Sequence, residues 1–221
     1  MSIRHNSTWG FDTQAIHSGQ EFDPTTNAVI TPIYATSTYA QSAPGVHLGF
    51  DYGRSHNPTR FAYERVVAHL EGGTAAYAFA SGLAAVSTVL ELLEAGSHII
   101  ATNDLYGGTY RLFERVRKHS AKLDISYVDL EAIAAVAKKH ALITVADNTF
   151  ATPWIQKPLT LGFDIVIHSA TKYLNGHSDI IGGIAVVGDN AELVEKVGFL
   201  QNAIGAIASP FDSFLAHRGI K

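Results

Sequence analysis

The chain has 221 residues, 47% of them hydrophobic and 16% charged, enough to bury the core of one large domain and too apolar for a chain that stays disordered. Its formal charge of -4 comes from 16 basic and 20 acidic residues with no long like-charge run, which gives no electrostatic footprint for nucleic acid or an anionic membrane. Without cysteine there can be no disulfide framework, thiolate nucleophile or thiol metal cluster, and the polar start with no apolar run of bilayer length makes cytoplasmic residence the expectation.

Residues 1–59 carry Pro24, Pro32, Pro44 and Pro58, many polar side chains and no helical period lasting more than a turn. They are expected to form an extended arm, and so long a structureless segment is expected to pack on a neighbouring subunit. From Arg60 the texture changes. Over residues 60–221 short apolar runs alternate with helical patterns, which predicts an α/β domain with a mainly parallel sheet and helices on both faces. Strands are expected at Ala75–Ala80, His98–Thr102, Ile125–Val128, Leu142–Ala146, Ile165–His168 and Ile184–Val187. A helix over Leu83–Ala95 is indicated by the stripe Val86, Val89, Leu90 and Leu93, with Gly96 as its stop. A second near Thr109–His119 ends in Arg115, Arg117, Lys118 and His119, which suits the negative end of a helix dipole, and a third is expected over Glu131–His140.

Ligands of open parallel sheets bind beyond the carboxyl ends of the strands, where helix N-termini offer free N–H groups. The residues in those places are Ser81-Gly82, Asn103 to Gly108, Asp147-Asn148-Thr149 and Ser169-Ala170-Thr171-Lys172. Ser81-Gly82 can present a hydroxyl and backbone N–H groups to a phosphate, or can be an ordinary helix cap. Asp147 can hold a cationic ring nitrogen, or cap a turn. Tyr106 can stack on a planar ligand, or simply pack. Lys172, at the end of an apolar strand among hydroxyls, is suited to a Schiff base with an aldehyde, where most lysines are solvated surface charges. One cofactor, pyridoxal 5'-phosphate, uses all four features. Rival motifs are weak: the sequence holds no G-x-G-x-x-G and no P-loop, Gly176 to Ile180 lacks the closing glycine of a nucleophile elbow, and the 11 histidines show no H-x-x-x-H spacing, so no metal is expected.

Taken with Tyr52-Gly53-Arg54 and Asn57-Pro58-Thr59, the segments Phe79 to Ala84, Asp104 to Thr109, Asp147 to Phe150 and Ser169 to Tyr173 resemble the Cys/Met metabolism family of fold-type I pyridoxal-phosphate enzymes, with wording similar to bacterial cystathionine γ-lyase-like proteins. The resemblance implies that Lys172 is the Schiff-base lysine and that Asp147 partners the pyridine nitrogen. It implies that Tyr106 stacks on the ring and moves a proton at the leaving group, and that Ser81, Gly82, Leu83, Ser169 and Thr171 hold the phosphate, with Thr149 also at the cofactor. Tyr52 and Arg54 would reach the phosphate of a neighbouring subunit in a dimer of dimers, Arg54 through its planar fork of donors.

The activity implied is γ-elimination of cystathionine to cysteine, 2-oxobutanoate and ammonia. γ-Synthase, β-lyase and methionine γ-lyase chemistry are the alternatives within the family, and a cofactor-binding scaffold without turnover is the alternative outside it. Two family features are not found in the sequence. A further helix and strand, ending in a Glu-Thr-Pro-x-Asn-Pro motif whose asparagine contacts the ring oxygen, would fall between Val128 and Glu131. A C-terminal domain carrying the arginine for the substrate carboxylate would follow Lys221.

Overall fold

The computed structural model describes residues 8–129, 136, 137, 139, 140 and 142–221. A short helix, α1 (Phe11–His17), lies within the N-terminal arm, and α2 (Pro58–Glu71) opens the domain. Local chemistry accounts for the bounds of α2. Asn57 Oδ1 accepts the N–H groups of Thr59 and Arg60 at 3.0 and 3.1 Å, Pro58 sits where its missing N–H is not needed, and Gly72 closes the helix at φ 77°. Then follow β1 (Ala75–Phe79), α3 (Gly82–Leu90), β2 (His98–Thr102), α4 (Gly107–Leu112), α5 (Lys118–Ser120), β3 (Asp124–Val128), β4 (Val145–Asp147), α6 (Thr152–Ile155), β5 (Ile165–Ser169), β6 (Gly183–Val187), α7 (Ala191–Ile204) and α8 (Pro210–Ile220). A wider π-type turn over Phe113–Arg117 joins α4 to α5.

The strands form a four-stranded sheet in the order β1-β6-β5-β4 and a separate two-stranded pair, β2-β3. β4 pairs with β5 and β2 with β3 in parallel, whereas β6 is antiparallel to both β1 and β5. The expected parallel sheet is therefore mixed: β1, β5 and β4 share one direction and β6 opposes them. Residues 170–182, between β5 and β6, contain turns but no crossover helix, and a chain that makes no crossover returns beside itself reversed.

Period-two alternation sends the strand side chains into two cores. Val166, Ile184 and Val186 pack with Val66, Val67 and Leu70 of α2 and Ala216 of α8. On the other face, Ile165, Ile167, Ala185 and Val187 meet Ala85 and Val89 of α3 and Leu193 and Val197 of α7. Helices thus cover both faces, each large apolar side chain buried this way contributing on the order of 1.5–3 kcal/mol.

Several expectations shift. The helix expected to run to Ala95 stops at Leu90, because the N–H groups of Glu91, Leu92 and Leu93 turn back to the carbonyls three residues earlier. The strand expected from Leu142 begins at Val145, and the helix expected over 131–140 falls largely outside the described residues. Helices α1, α2, α6, α7 and α8 have no counterpart among the expected elements, although Asn190 Oδ1 (3.1 Å from Leu193 N) and Ser209 Oγ (3.0 Å from Asp212 N) cap α7 and α8 in the ordinary way. Parts of the N-terminal segment are bonded to α2: Arg60 donates to the carbonyls of Gly53, Arg54 and Ser55, Arg65 Nε to Gly19 O, and Thr59 Oγ1 to Pro32 O.

His217 of α8 is buried. Burial, then the positive charges of Lys221 and Arg65, push its imidazole down to about 3. The ordinary value is about 6.5, so as pH falls the unfolded chain takes up this proton first. Stability is predicted to drop through that window, from about pH 6.5 toward about pH 3, by up to about 1.4 kcal/mol per pH unit from this group. Urea unfolding at stepped pH should show the slope, and His217→Leu should flatten it.

Candidate active site

The carboxyl ends of β4 and β5, the start of β6 and the N-terminus of α3 meet. Ser81 is in extended backbone (φ -164°, ψ 164°), and its Oγ accepts Ala84 N–H at 3.0 Å, which makes it the cap of α3. The first intrahelical bond is Ala85 N–H to Ser81 O, so the N–H groups of Gly82 and Leu83 find no acceptor among the described residues. They carry the positive end of the helix dipole. A Cβ on Gly82 would stand 2.9 Å from Ser169 Cβ, closer than side chains tolerate, so only glycine lets α3 start against the end of β5. Gly183 likewise leaves no room for a Cβ beside Ser81 O.

From Ser169 a chain of hydrogen bonds runs to the end of β4. Ser169 N–H donates to Thr149 Oγ1 (2.9 Å), and Thr149 donates its hydroxyl (2.5 Å) and its N–H (3.1 Å) to Asp147 Oδ1. Oδ1 of Asp147 is thereby occupied and the carboxylate held in orientation. Thr171 Oγ1 accepts Gly182 N–H (3.1 Å) and so binds the turn after β5 to the approach to β6. Within that turn Lys172 N–H donates to Ser169 O (3.2 Å), and Lys172 O accepts Gly176 N–H (2.9 Å). The Lys172 backbone is fixed on both sides, while its exposed side chain makes no hydrogen bond or ion pair among the described residues.

Ser81, Gly82, Leu83, Asp147, Thr149, Ser169, Thr171 and Lys172 are therefore brought to one end of the sheet. Tyr106, which precedes α4, is 65% exposed and folds its ring over Gly108; no hydrogen bond or ring contact ties it to this cluster. Tyr52 and Arg54 are elsewhere. The Arg54 guanidinium lies 5.4 Å from the centre of the Tyr52 ring and donates to Asn202 O (3.4 Å) near the end of α7. Only indirectly does that anchor approach the helix start, since Ala206 O accepts Ala80 N–H at 2.9 Å.

A buried polar network beneath these loops was not anticipated. His168, the residue before Ser169, places Nε2 2.6 Å from Glu71 Oε1 of α2, with neither side chain exposed. Asn148, next to Asp147, donates to the same carboxylate oxygen (3.2 Å) and to Gln156 O (3.0 Å). Fully buried carboxylates require such partners. The one available signal was a histidine inside an otherwise apolar strand.

In chemical terms the cluster offers a helix N-terminus suited to an anion, an oriented carboxylate and a primary amine. The chain is 56% identical to the cystathionine β-lyase of Coxiella burnetii over 253 aligned positions, covering 100% of this chain and 65% of that protein. It is 46% identical to a probable cystathionine γ-synthase of Herpetosiphon aurantiacus, covering 96% of this chain and 76% of the relative. Its fold matches the crystal structure of cystathionine γ-lyase from Lactobacillus plantarum complexed with L-serine, with a TM-score of 0.91 and 44% identity over 96% of this chain and 63% of that one. The chain thus spans roughly two thirds of the first relative's length. The Cys/Met metabolism PLP-dependent enzyme family matches in two runs, residues 12–129 and 120–221. On this footing the chain belongs to the Cys/Met metabolism family of enzymes that depend on pyridoxal phosphate.

Proposed function

We propose that this chain is the cofactor-binding part of a carbon–sulfur lyase acting on cystathionine. The observation that carries the reading is the hydrogen-bonded run Asp147–Thr149–Ser169, which ends one turn from Lys172 and beside Gly82 and Leu83, whose N–H groups have no acceptor among the described residues. Those N–H groups, with the hydroxyls of Ser81, Ser169 and Thr171, hold the phosphate, and Asp147 holds the ring nitrogen. Pyridoxal phosphate, when bound, supplies an aldehyde for a lysine amine and a protonated ring that withdraws electrons from the substrate Cα. Lys172 then acts as the base that takes the α-proton. The Tyr106 hydroxyl moves a proton at the departing sulfur. Asp147, kept in place by Thr149, favours the positive charge on the ring N–H.

The sequence reading puts γ-elimination first, giving cysteine, 2-oxobutanoate and ammonia. A second reading is β-cleavage to homocysteine, pyruvate and ammonia, favoured by the 56% identity with the Coxiella burnetii β-lyase. Residues 1–59 form an arm for a neighbouring subunit in a cytoplasmic dimer of dimers, with Tyr52 and Arg54 directed to that subunit's phosphate. The arm's exposed Val29, Val46 and Leu48, the last 98% exposed, support this use of its surface.

Borohydride reduction of the cofactor-loaded chain, followed by peptide mapping, is predicted to leave a pyridoxyl adduct on Lys172. Lys172→Ala should retain no adduct, and finding the label on another lysine would contradict the assignment. With cystathionine as substrate, keto-acid analysis separates the readings: 2-oxobutanoate supports γ-cleavage, pyruvate β-cleavage, and neither product supports a scaffold without turnover. Thr149→Val should leave the half-buried Ser169 N–H without its acceptor, at a cost of about 1 kcal/mol in denaturant unfolding. It should also weaken cofactor binding, which a cofactor titration followed in the visible spectrum would measure.

A further inference from the structure

We infer that Glu71 is a positioning residue for the proposed cofactor: through His168 and Asn148, one of its carboxylate oxygens holds Ser169, at the phosphate end, and Asp147, at the ring-nitrogen end, at a fixed separation. The inference rests on the reading of these loops as a pyridoxal-phosphate site. Glu71 stands where a carboxylate is least welcome. It is the last residue of α2, at the negative end of the helix dipole, and neither it nor His168 is exposed. Glu64, the other buried acid of this helix, meets Ala78 N–H of β1 and Gln201 of α7, so its bonds serve the packing of α2. The bonds of Glu71 lead elsewhere. Both of its partners are immediate sequence neighbours of residues in the candidate site.

The reference point is rigid. Gly72 closes α2 in the left-handed region, Thr74 N–H donates to Val187 O of β6 (2.9 Å), and a Cβ on Gly73 would stand 2.9 Å from that same oxygen. Glu71 is thereby held against an interior strand of the sheet. Along β5, Val166 and His168 point toward α2, whereas Ile167 and Ser169 point toward α3. Fixing His168 from α2 therefore fixes Ser169 on the opposite face, against Gly82. His168 Nδ1 has no partner among the described residues, and a proton there would be a buried donor with nothing to receive it. The proton accordingly sits on Nε2, which donates to Glu71 Oε1 at 2.6 Å.

Asn148 has no freedom to turn. Its Oδ1 accepts Gln156 Nε2 (2.8 Å), and its Nδ2 donates both to Gln156 O (3.0 Å) and to Glu71 Oε1 (3.2 Å). A flipped amide would set donor against donor and oxygen against oxygen. Glu71 Oε1 thus stands between the ends of β4 and β5. Thr149 already joins Asp147 to Ser169 on the other side, but one link leaves the end of β4 able to rock about it, and a second link beneath removes that freedom. A ligand that reaches from the start of α3 to Asp147 needs both ends at one spacing. A phosphate alone needs only the start of α3 and the end of β5.

The test compares Glu71→Leu, Glu71→Gln and the double variant Glu71→Leu/His168→Leu with the unsubstituted 221-residue chain. Pyridoxal phosphate uptake is followed in the visible spectrum, inorganic phosphate binding by the amide shifts of Gly82 and Leu83, and amide hydrogen exchange in the ligand-free chain. Glu71→Leu is expected to weaken pyridoxal phosphate by at least about tenfold while changing inorganic phosphate by less than about twofold. Exchange at Asn148 and Ser169 should quicken by about tenfold, with the amides of β1 unchanged. Glu71→Gln keeps an acceptor for both donors, and its affinity for pyridoxal phosphate should lie within about threefold of the unsubstituted chain. In the double variant the unpaired imidazole is gone, so the midpoint of thermal unfolding should rise above that of Glu71→Leu while the loss of pyridoxal phosphate persists.

Equal loss of the two ligands, recovery of pyridoxal phosphate in the double variant, no rescue by glutamine, or unchanged exchange at Asn148 and Ser169 would reduce Glu71 to a packing residue and overturn the inference. Should Glu71→Leu not fold, the double variant supplies the comparison of the two ligands; failure of both to fold would show a structural role only and count as the same refutation. An unsubstituted chain that takes up no pyridoxal phosphate would instead overturn the cofactor reading, and the inference would go with it.

Discussion

Two buried carboxylates on one face of α2 set the register of everything around them. Glu64 and Glu71 are seven residues apart, two turns of helix, and both point into the sheet. Glu64 Oε1 accepts Ala78 N–H of β1 (2.8 Å) and Gln201 Nε2 of α7 (2.9 Å), with Arg60 Nε at 3.4 Å. Burial raises the Glu64 carboxyl above its usual range, and Arg60, Ala78 and Gln201 pull it back. Since the same Arg60 guanidinium also binds the carbonyls of Gly53, Arg54 and Ser55, the charge that neutralises Glu64 ties the arm to the domain. Glu71 does the equivalent at the other end through His168 and Asn148. Stripping one partner from a buried ionic group costs about 3–5 kcal/mol, so α2 cannot shift along the sheet by a turn without losing both anchor points.

This arrangement explains why the loops that carry the candidate site can be short and still well placed. Asp147 lies immediately before Asn148, and Ser169 immediately after His168. Both neighbours are bound to one carboxylate oxygen of Glu71, so the ends of β4 and β5 are fixed from beneath by α2 and from above by Thr149. Polar groups in such a network are mutually dependent, and loosening one member loosens the carboxylate and the serine together.

The pattern of residues made the strands legible because their apolar runs are short and bounded by turn residues, and it made most of the site legible because caps and strand ends announce themselves locally. Ser81 with Gly82, and Asp147 with Thr149, are of this kind. Features that depend on distant partners were hidden. Glu71 and His168 are 97 positions apart, and Gln201 reaches Glu64 across 137, so apart from a histidine inside an apolar strand none of these residues carried a local mark of its role. The reversed direction of β6 was concealed for another reason: apolar runs give a strand's existence, while its direction depends on whether the intervening residues 170–182 make a helix. The early end of α3 belongs here too, since Glu91 leaves the helix and pairs with Arg117 next to α5, a contact no periodicity could indicate.

Among the described residues β4 is an edge strand of the four-stranded sheet, and Asp147 belongs both to that edge and to the candidate site. Its side chain is oriented by Thr149, but its backbone is laddered on one side only, to β5 through its neighbours Ala146 and Asn148. β4 has three residues, and a short edge strand resists displacement less well than one paired on both flanks. The hold on a ring nitrogen is therefore expected to be softer than the hold on a phosphate, whose cradle is built on α3 and β5 in the middle of the molecule.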